Sequence, residues 1–154
     1  MLDVGLLPHQ LEFMERDADK RVALVTGVGC GKTMVAAMWL LQQAADYQNS
    51  IVSAQNYSAL HKVVFAEIQR QARRFGMAFD YNKQDKTIFF PQSGATIYGA
   101  SSEAPDSVLG LTNISNYLAD ESAYSCEALR NNCEERCRGQ DLKGRIIRAR
   151  YRYT

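Results

Sequence analysis

Three glycines at alternating positions, Gly27, Gly29 and Gly31, run directly into Lys32 and Thr33, and no other stretch of the 154 residues carries as much chemistry in so short a space. Glycine reaches φ values that other residues avoid, so successive N–H groups of such a loop can turn inward around phosphate oxygens. A lysine after the last glycine supplies a charge for β- and γ-phosphates, and the neighbouring threonine hydroxyl suits Mg²⁺. The expected cradle is Thr26, Gly27, Val28, Gly29, Cys30, Gly31, Lys32 and Thr33. The general spacing G-x-x-x-x-G-K-[ST] has glycine five places before Gly31, where this chain has Thr26.

A second pair of reactive groups is Asp120-Glu121, at the end of the partly apolar run Ile114-Ser-Asn-Tyr-Leu-Ala. Neighbouring side chains at a strand end diverge, so the two carboxylates can do different work. Asp120 is expected to hold a metal's hydration shell, and Glu121 to orient or deprotonate an attacking water. Read without the glycine loop, the same pair is an ordinary helix cap. A third candidate is Gln10, whose carboxamide both donates and accepts and can therefore pair with an adenine edge.

These groups need elements to hold them. Val22 to Val25 reads as a strand buried on both faces, and Met34, Val35, Ala36, Ala37, Met38, Leu40 and Leu41 as a helix packed on it, whose N-terminus favours anions. Residues 7–14 read as a short amphipathic helix with Pro8 early, 51–54 as a buried strand, and 57–75 as an amphipathic helix. Thr87–Phe90 and Ala95–Gly99 flank a Pro-Gln-Ser-Gly turn and read as a hairpin, 101–112 as a polar loop, and 125–137 as a helix closed by Gly139. The run 144–149 resembles one further strand. The expected class is α/β: a P-loop nucleotide-binding fold, with a mostly parallel sheet, helices on both faces and an inserted β-hairpin.

With 18 basic and 17 acidic residues the net charge is +1, so no global field draws the chain to nucleic acid. Its apolar stretches are too short to span a bilayer and its first residues lack a signal-peptide profile, which makes the cytoplasm the expected compartment. Cys126, Cys133 and Cys137 recur along one helix face and read as an apolar stripe rather than a zinc clamp. Arg70, Arg73 and Arg74 read as a solvated helix face. The alternating Arg148-Ala-Arg-Tyr-Arg-Tyr-Thr154 suits a grip on single-stranded nucleic acid or a solvated end; the second is the expectation, with 150–154 a disordered tail.

Gln10, the loop Thr26-Gly-Val-Gly-Cys-Gly-Lys-Thr33 and Leu118-Ala-Asp-Glu-Ser-Ala123, with the hairpin and the Asp106-Ser-Val-Leu-Gly110 approach between them, resemble the ATPase domain of the large terminase subunit of tailed phages. The similarity runs over most of residues 7–149. It implies ATP with Mg²⁺, catalysis by Lys32 and Glu121, metal held by Thr33 and Asp120, and nucleotide contacts from Gln10 and the loop. It also implies double-stranded DNA packaged into capsids, a homo-oligomeric ring on a portal, a small-subunit partner, and the host cytoplasm. Terminases often carry arginine where Val28 and Leu109 stand here, and a Ser/Thr/Gly-rich coupling segment after the strand matching 145–149, where this chain has Arg150-Tyr-Arg-Tyr-Thr154. The expected chain is a single ATPase domain over 1–154 that stops before the nuclease domain of full terminases. A superfamily 2 helicase fragment and a nucleotide-binding module without turnover are the alternative readings.

Overall fold

The computed structural model describes residues 5–16, 20–140, 143, 145 and 147–154. Among these residues seven strands make one sheet: β1 (Arg21–Ala23), β2 (Asn49–Ala54), β3 (Asp80–Asn82), β4 (Thr87–Phe90), β5 (Ala95–Ser101), β6 (Ile114–Ala119) and β7 (Arg150–Tyr153). Their order is β1-β7-β6-β2-β5-β4-β3. From β1 through β5 every neighbouring pair is parallel, while β4 runs antiparallel to β5 and β3 to β4. The expected mostly parallel sheet is present, and the hairpin forms one side of it as β4 and β5.

Alternation along the central strands sorts side chains to two cores. Val52 of β2 and Leu118 of β6 face a cluster with Phe13 of α1 (Pro8–Glu15), Trp39 and Leu40 of α2 (Lys32–Ala45), and Ile68 of α4 (Ala66–Arg74). Their neighbours Ile51 and Tyr117 face the other side, against Leu129 and Cys133 of α5 (Glu127–Arg136). Because both sheet faces are covered, all six residues of β6 are buried. The cysteine stripe takes its expected place: Cys133 and Cys137 lie in this second core with Cys126 packed against it, and all four cysteines are free thiols.

The helix expected over 57–75 is a composite of α3 (Tyr57–Ala59), a π-helical stretch at Leu60–Phe65, and α4. A π turn puts residues five apart on one face. Leu60 and Phe65 thereby both descend on Gly99 of β5, where an added Cβ would lie 2.7 Å from Leu60 Cδ2 and 2.5 Å from Phe65 Cζ. On the outer side of α4, Arg70 pairs with Glu67 and the Arg73 guanidinium covers the Phe79 ring, in keeping with a solvated face.

Three expectations are corrected. The strand before the glycine loop is not buried on both faces: β1 has three residues, pairs among the described residues only with β7, and leaves Ala23 and Val25 exposed at the sheet edge. Among 144–149, residues 144 and 146 lie outside the described residues, and 145 and 147–149 are not in a strand. The real strand is the supposed tail. β7 inserts between β1 and β6, with Tyr151 and Arg152 buried.

Burial of Arg152 has a physical cause. Its Nε and Nη2 donate to the carbonyls of Phe13, at 3.2 Å, and Arg16, at 2.9 Å, which close the C-terminal end of α1. Nη1 donates to Tyr151 O at 3.2 Å, and the guanidinium lies 5.0 Å from the Trp39 ring. A cation at a helix C-terminus meets the negative end of the dipole and carbonyls that the helix leaves unfilled. The short strand β3 escaped the sequence reading because Asp80-Tyr-Asn82 has no apolar alternation.

Candidate functional site

The glycine loop leaves β1 at Leu24, whose N–H donates to Tyr153 O at 2.9 Å, and ends at Gly31, the N-cap of α2. Gly29 and Gly31 have φ of 80° and 70°, values that require glycine in practice. Among the described residues no carbonyl receives the backbone N–H groups of residues 27 to 31, and the Val35 amide then donates to Gly31 O at 3.0 Å. The loop therefore presents unfilled donors at a helix N-terminus, the arrangement that favours an anion. Lys32 Nζ donates to the carbonyls of Thr26 and Gly27, each at 3.1 Å, which keeps its charge at the loop.

β6 brings the acids to this place. The Asp120 N–H continues the sheet by donating to Ser53 O at 3.0 Å, so the backbone is fixed where the strand ends. Asp120 is buried, and the Thr33 hydroxyl donates to its Oδ1 at 3.3 Å. The glycine loop and the acidic strand, far apart in sequence, thus meet through their expected metal-holding residues. Burial pushes the Asp120 carboxyl above the usual carboxylate range; the Glu121 charge adds to this, and hydrogen bonds from Thr154 and Thr33 and the Lys32 charge work against it.

Glu121 diverges from Asp120 by a backbone turn. It adopts a left-handed conformation, φ 49° and ψ 54°, and its side chain is exposed while that of Asp120 is buried. A non-glycine residue in this region stores strain of roughly 1 kcal/mol or more and is found disproportionately at functional sites.

One site residue was not foreseen. Thr154 follows β7, and its hydroxyl donates to Asp120 Oδ1 at 2.8 Å and accepts the Glu121 N–H at 3.3 Å. The Thr154 carbonyl accepts the Ser122 N–H at 2.7 Å. The signal was the period-two pattern of Arg150-Tyr-Arg-Tyr, which reads as a strand once arginine is allowed inside.

Gln10 lies against the glycine loop. It is buried, its Oε1 accepts the Leu7 N–H at 2.9 Å, and its Nε2 donates to Cys30 O at 3.0 Å. The two atoms that an adenine edge requires are both engaged within the chain. The Thr26 hydroxyl is buried without a hydrogen-bond partner, and Val28 is fully exposed.

Among the described residues no group of three or more His, Cys, Asp or Glu side chains is placed to hold a metal, and no helix is long and apolar enough to cross a membrane. Magnesium asks for less than such a cluster: one or two protein oxygens, with phosphates and waters supplying the rest. Thr33 Oγ1 and Asp120 Oδ1 fit that demand.

The N-terminal profile of the large terminase subunit of T4-like-virus type matches residues 23–135. The large terminase from a thermophilic bacteriophage, in complex with ADP, has a TM-score of 0.76 at 22% identity, over 95% of this chain and 37% of that one. The ATPase domain of the Thermus phage P74-26 large terminase gives 0.63 at 19% identity, over 97% and 66%. The bacteriophage Phi-29 viral genome packaging motor assembly gives 0.60 at 12% identity, over 96% and 47%. These are likenesses of fold, and the chain spans less than two fifths of the length of the ADP-bound terminase. No curated protein matches it.

Proposed function

The chain belongs to the large terminase subunit family of T4-like-virus type, and from that premise we propose that it is an ATP-hydrolysing motor domain that drives double-stranded DNA into phage capsids. The observation that carries this reading is the contact of Thr33 Oγ1 with Asp120 Oδ1, which joins the glycine loop to the acidic strand end.

In this reading the amides of residues 27 to 31 and the N-terminus of α2 receive the phosphate oxygens. Lys32 exchanges the Thr26 and Gly27 carbonyls for β- and γ-phosphate oxygens, a better partner for an ammonium than neutral carbonyls. Thr33 and Asp120 hold Mg²⁺, which when bound neutralises charge on the phosphates. Glu121, exposed and aimed by its left-handed backbone, orients the attacking water and accepts its proton. Thr154 holds the Asp120 carboxylate and the Glu121 amide together. A homo-oligomeric ring on a portal, a small terminase subunit and the host cytoplasm complete the proposal.

The test is phosphate release with and without double-stranded DNA, beside fluorescent-nucleotide binding. Lys32→Ala is expected to weaken ATP binding at least about tenfold, the loss of one charge-assisted contact set, and to abolish turnover. Glu121→Gln is expected to keep binding and lose turnover. Turnover at the wild-type rate in Glu121→Gln would remove Glu121 from this role.

A further inference from the structure

We infer that Glu134 of α5 is a positioning residue: its carboxylate clasps β1 to β7 and so sets where the glycine loop stands relative to Asp120. The inference rests on the nucleotide-binding reading above and gives α5 a part in it.

Strand order creates the need for a clasp. The strand that leads into the loop and the strand that ends in the acids are not neighbours, because β7 lies between them. The reach from Thr33 to Asp120 therefore depends on two strand pairings, each about 4.8 Å wide. One is firm: β6 and β7 share four register pairs, and the Thr154 N–H extends them to Ala119 O at 2.9 Å. The other is short. β1 meets β7 at three register pairs, extended by the Tyr151 N–H to Lys20 O at 2.8 Å and the Leu24 N–H to Tyr153 O at 2.9 Å. Such a short strand at the sheet edge opens easily unless side chains hold it.

Glu134 supplies that hold. Its Oε2 accepts Arg21 Nη2 of β1 at 2.5 Å, and its Oε1 accepts the Tyr153 hydroxyl of β7. Its backbone carbonyl accepts the Tyr151 hydroxyl at 3.2 Å, and the Arg21 guanidinium lies 4.9 Å from the Tyr151 ring centroid. One carboxylate thus joins both strands by charge-assisted bonds, with its side chain 17% exposed. Leu129 and Cys133 anchor α5 in the second core, so the clasp hangs from a fixed helix. Tyr153 also precedes Thr154, whose hydroxyl holds Asp120 Oδ1 and the Glu121 N–H. The same carboxylate therefore steadies the strand before the loop and the strand end that carries the acids' partner.

A clasp and a general stabiliser differ in where they act. The experiment is amide exchange at Leu24 and Thr154, beside calorimetric titration with ATP in Mg²⁺ and in EDTA. It compares wild type, Glu134→Ala, Glu134→Gln, Tyr153→Phe and, as a control on the same helix, Glu135→Ala. Glu134→Ala should speed exchange at Leu24 by about tenfold relative to Thr154, the size of one hydrogen bond to a charged group. ATP affinity in EDTA should stay within about twofold of wild type, since the loop amides and Lys32 meet the phosphates without the acids. The gain in affinity on adding Mg²⁺ should shrink by about tenfold, because Thr33 and Asp120 no longer stand at one separation. Glu134→Gln keeps an acceptor for Tyr153 and loses the charge for Arg21, and Tyr153→Phe does the reverse; both should fall between wild type and Glu134→Ala. Glu135→Ala should match wild type. If Glu134→Ala does not fold, Glu134→Gln and Tyr153→Phe carry the same test.

Equal acceleration at Leu24 and Thr154 would overturn the inference, since Glu134 would then stabilise the fold as a whole. A Mg²⁺ gain unchanged in every Glu134 and Tyr153 variant would overturn it too. Wild-type protein that takes up no ATP in either buffer would sink the nucleotide reading and the positioning role with it, while selective exchange at Leu24 would still establish the clasp.

Discussion

Replacing Arg152 by methionine tests why a charged residue sits in the middle of this molecule. Methionine fills most of the volume and keeps apolar contact with Trp39 and Phe13, so the change isolates the polar contribution. The structure gives the guanidinium three carbonyl partners, in Phe13, Tyr151 and Arg16. Hydrogen bonds to charged groups contribute about 1.5–3 kcal/mol each, which for three is roughly 5–9 kcal/mol. Removing the cation also returns a desolvation cost of several kcal/mol. The balance is a loss of about 3 kcal/mol, as the carbonyls of Phe13 and Arg16 lose a charged donor. For a chain of this size that is a Tm lower by roughly 6 to 12 °C. Circular dichroism melting measures it, and amide exchange should show α1 opening first. A methionine variant as stable as the wild type, or more so, would refute the reasoning and place Arg152 among buried charges that cost more than their bonds return.

Other outcomes follow from single contacts. Gly99→Ala drives a Cβ into Phe65 and Leu60 and should cost about 1–3 kcal/mol in denaturant unfolding, with partial recovery when Phe65 is also made leucine. Glu121→Gly releases the left-handed strain and should raise stability by about 1 kcal/mol while ending phosphate release; a less stable variant would mean that the backbone there is not strained. Burial, with Lys83 and Lys86 nearby, pushes the His61 imidazole below its ordinary value, and its Nδ1 meets the Tyr81 hydroxyl at 2.6 Å. The unfolded chain therefore binds this proton more readily. Stability held above about pH 6.5 should fall as the pH drops through that value toward the folded pKa, and His61→Gln should flatten that part of a Tm-against-pH curve. A curve unchanged by the substitution would remove His61 as its source.

The legible parts of the sequence were those where one residue type has one physical use. Glycines at 27, 29 and 31 before a lysine left a phosphate loop as the natural reading, and the apolar run at 114–119 gave β6 with its acids at the end. The hairpin was legible because turn residues at 91–94 separate two β-rich stretches. What failed was polarity as a guide to exposure. Arg150-Tyr-Arg-Tyr153 looked solvated because arginine seldom lies inside; its burial depends on the end of α1, and no local pattern shows that a helix terminus about 140 residues away needs a cation. Thr154 was hidden by the same error. Gln10 was noticed, but sequence gives a carboxamide's capacity and not its partner.

Insertion of β7 between β1 and β6 also dictates a timetable. Among the described residues β1 has no neighbour in the sheet except β7, so the strand that leads into the glycine loop docks only after residues 150–153 have taken their slot. Until the ribosome has delivered them, the loop and the acids belong to pieces that nothing yet holds in one frame. On the proposed function, an emerging chain gains its affinity for triphosphate late and in one step, and ribosome-bound fragments stopped short of residue 150 should stay blind to it.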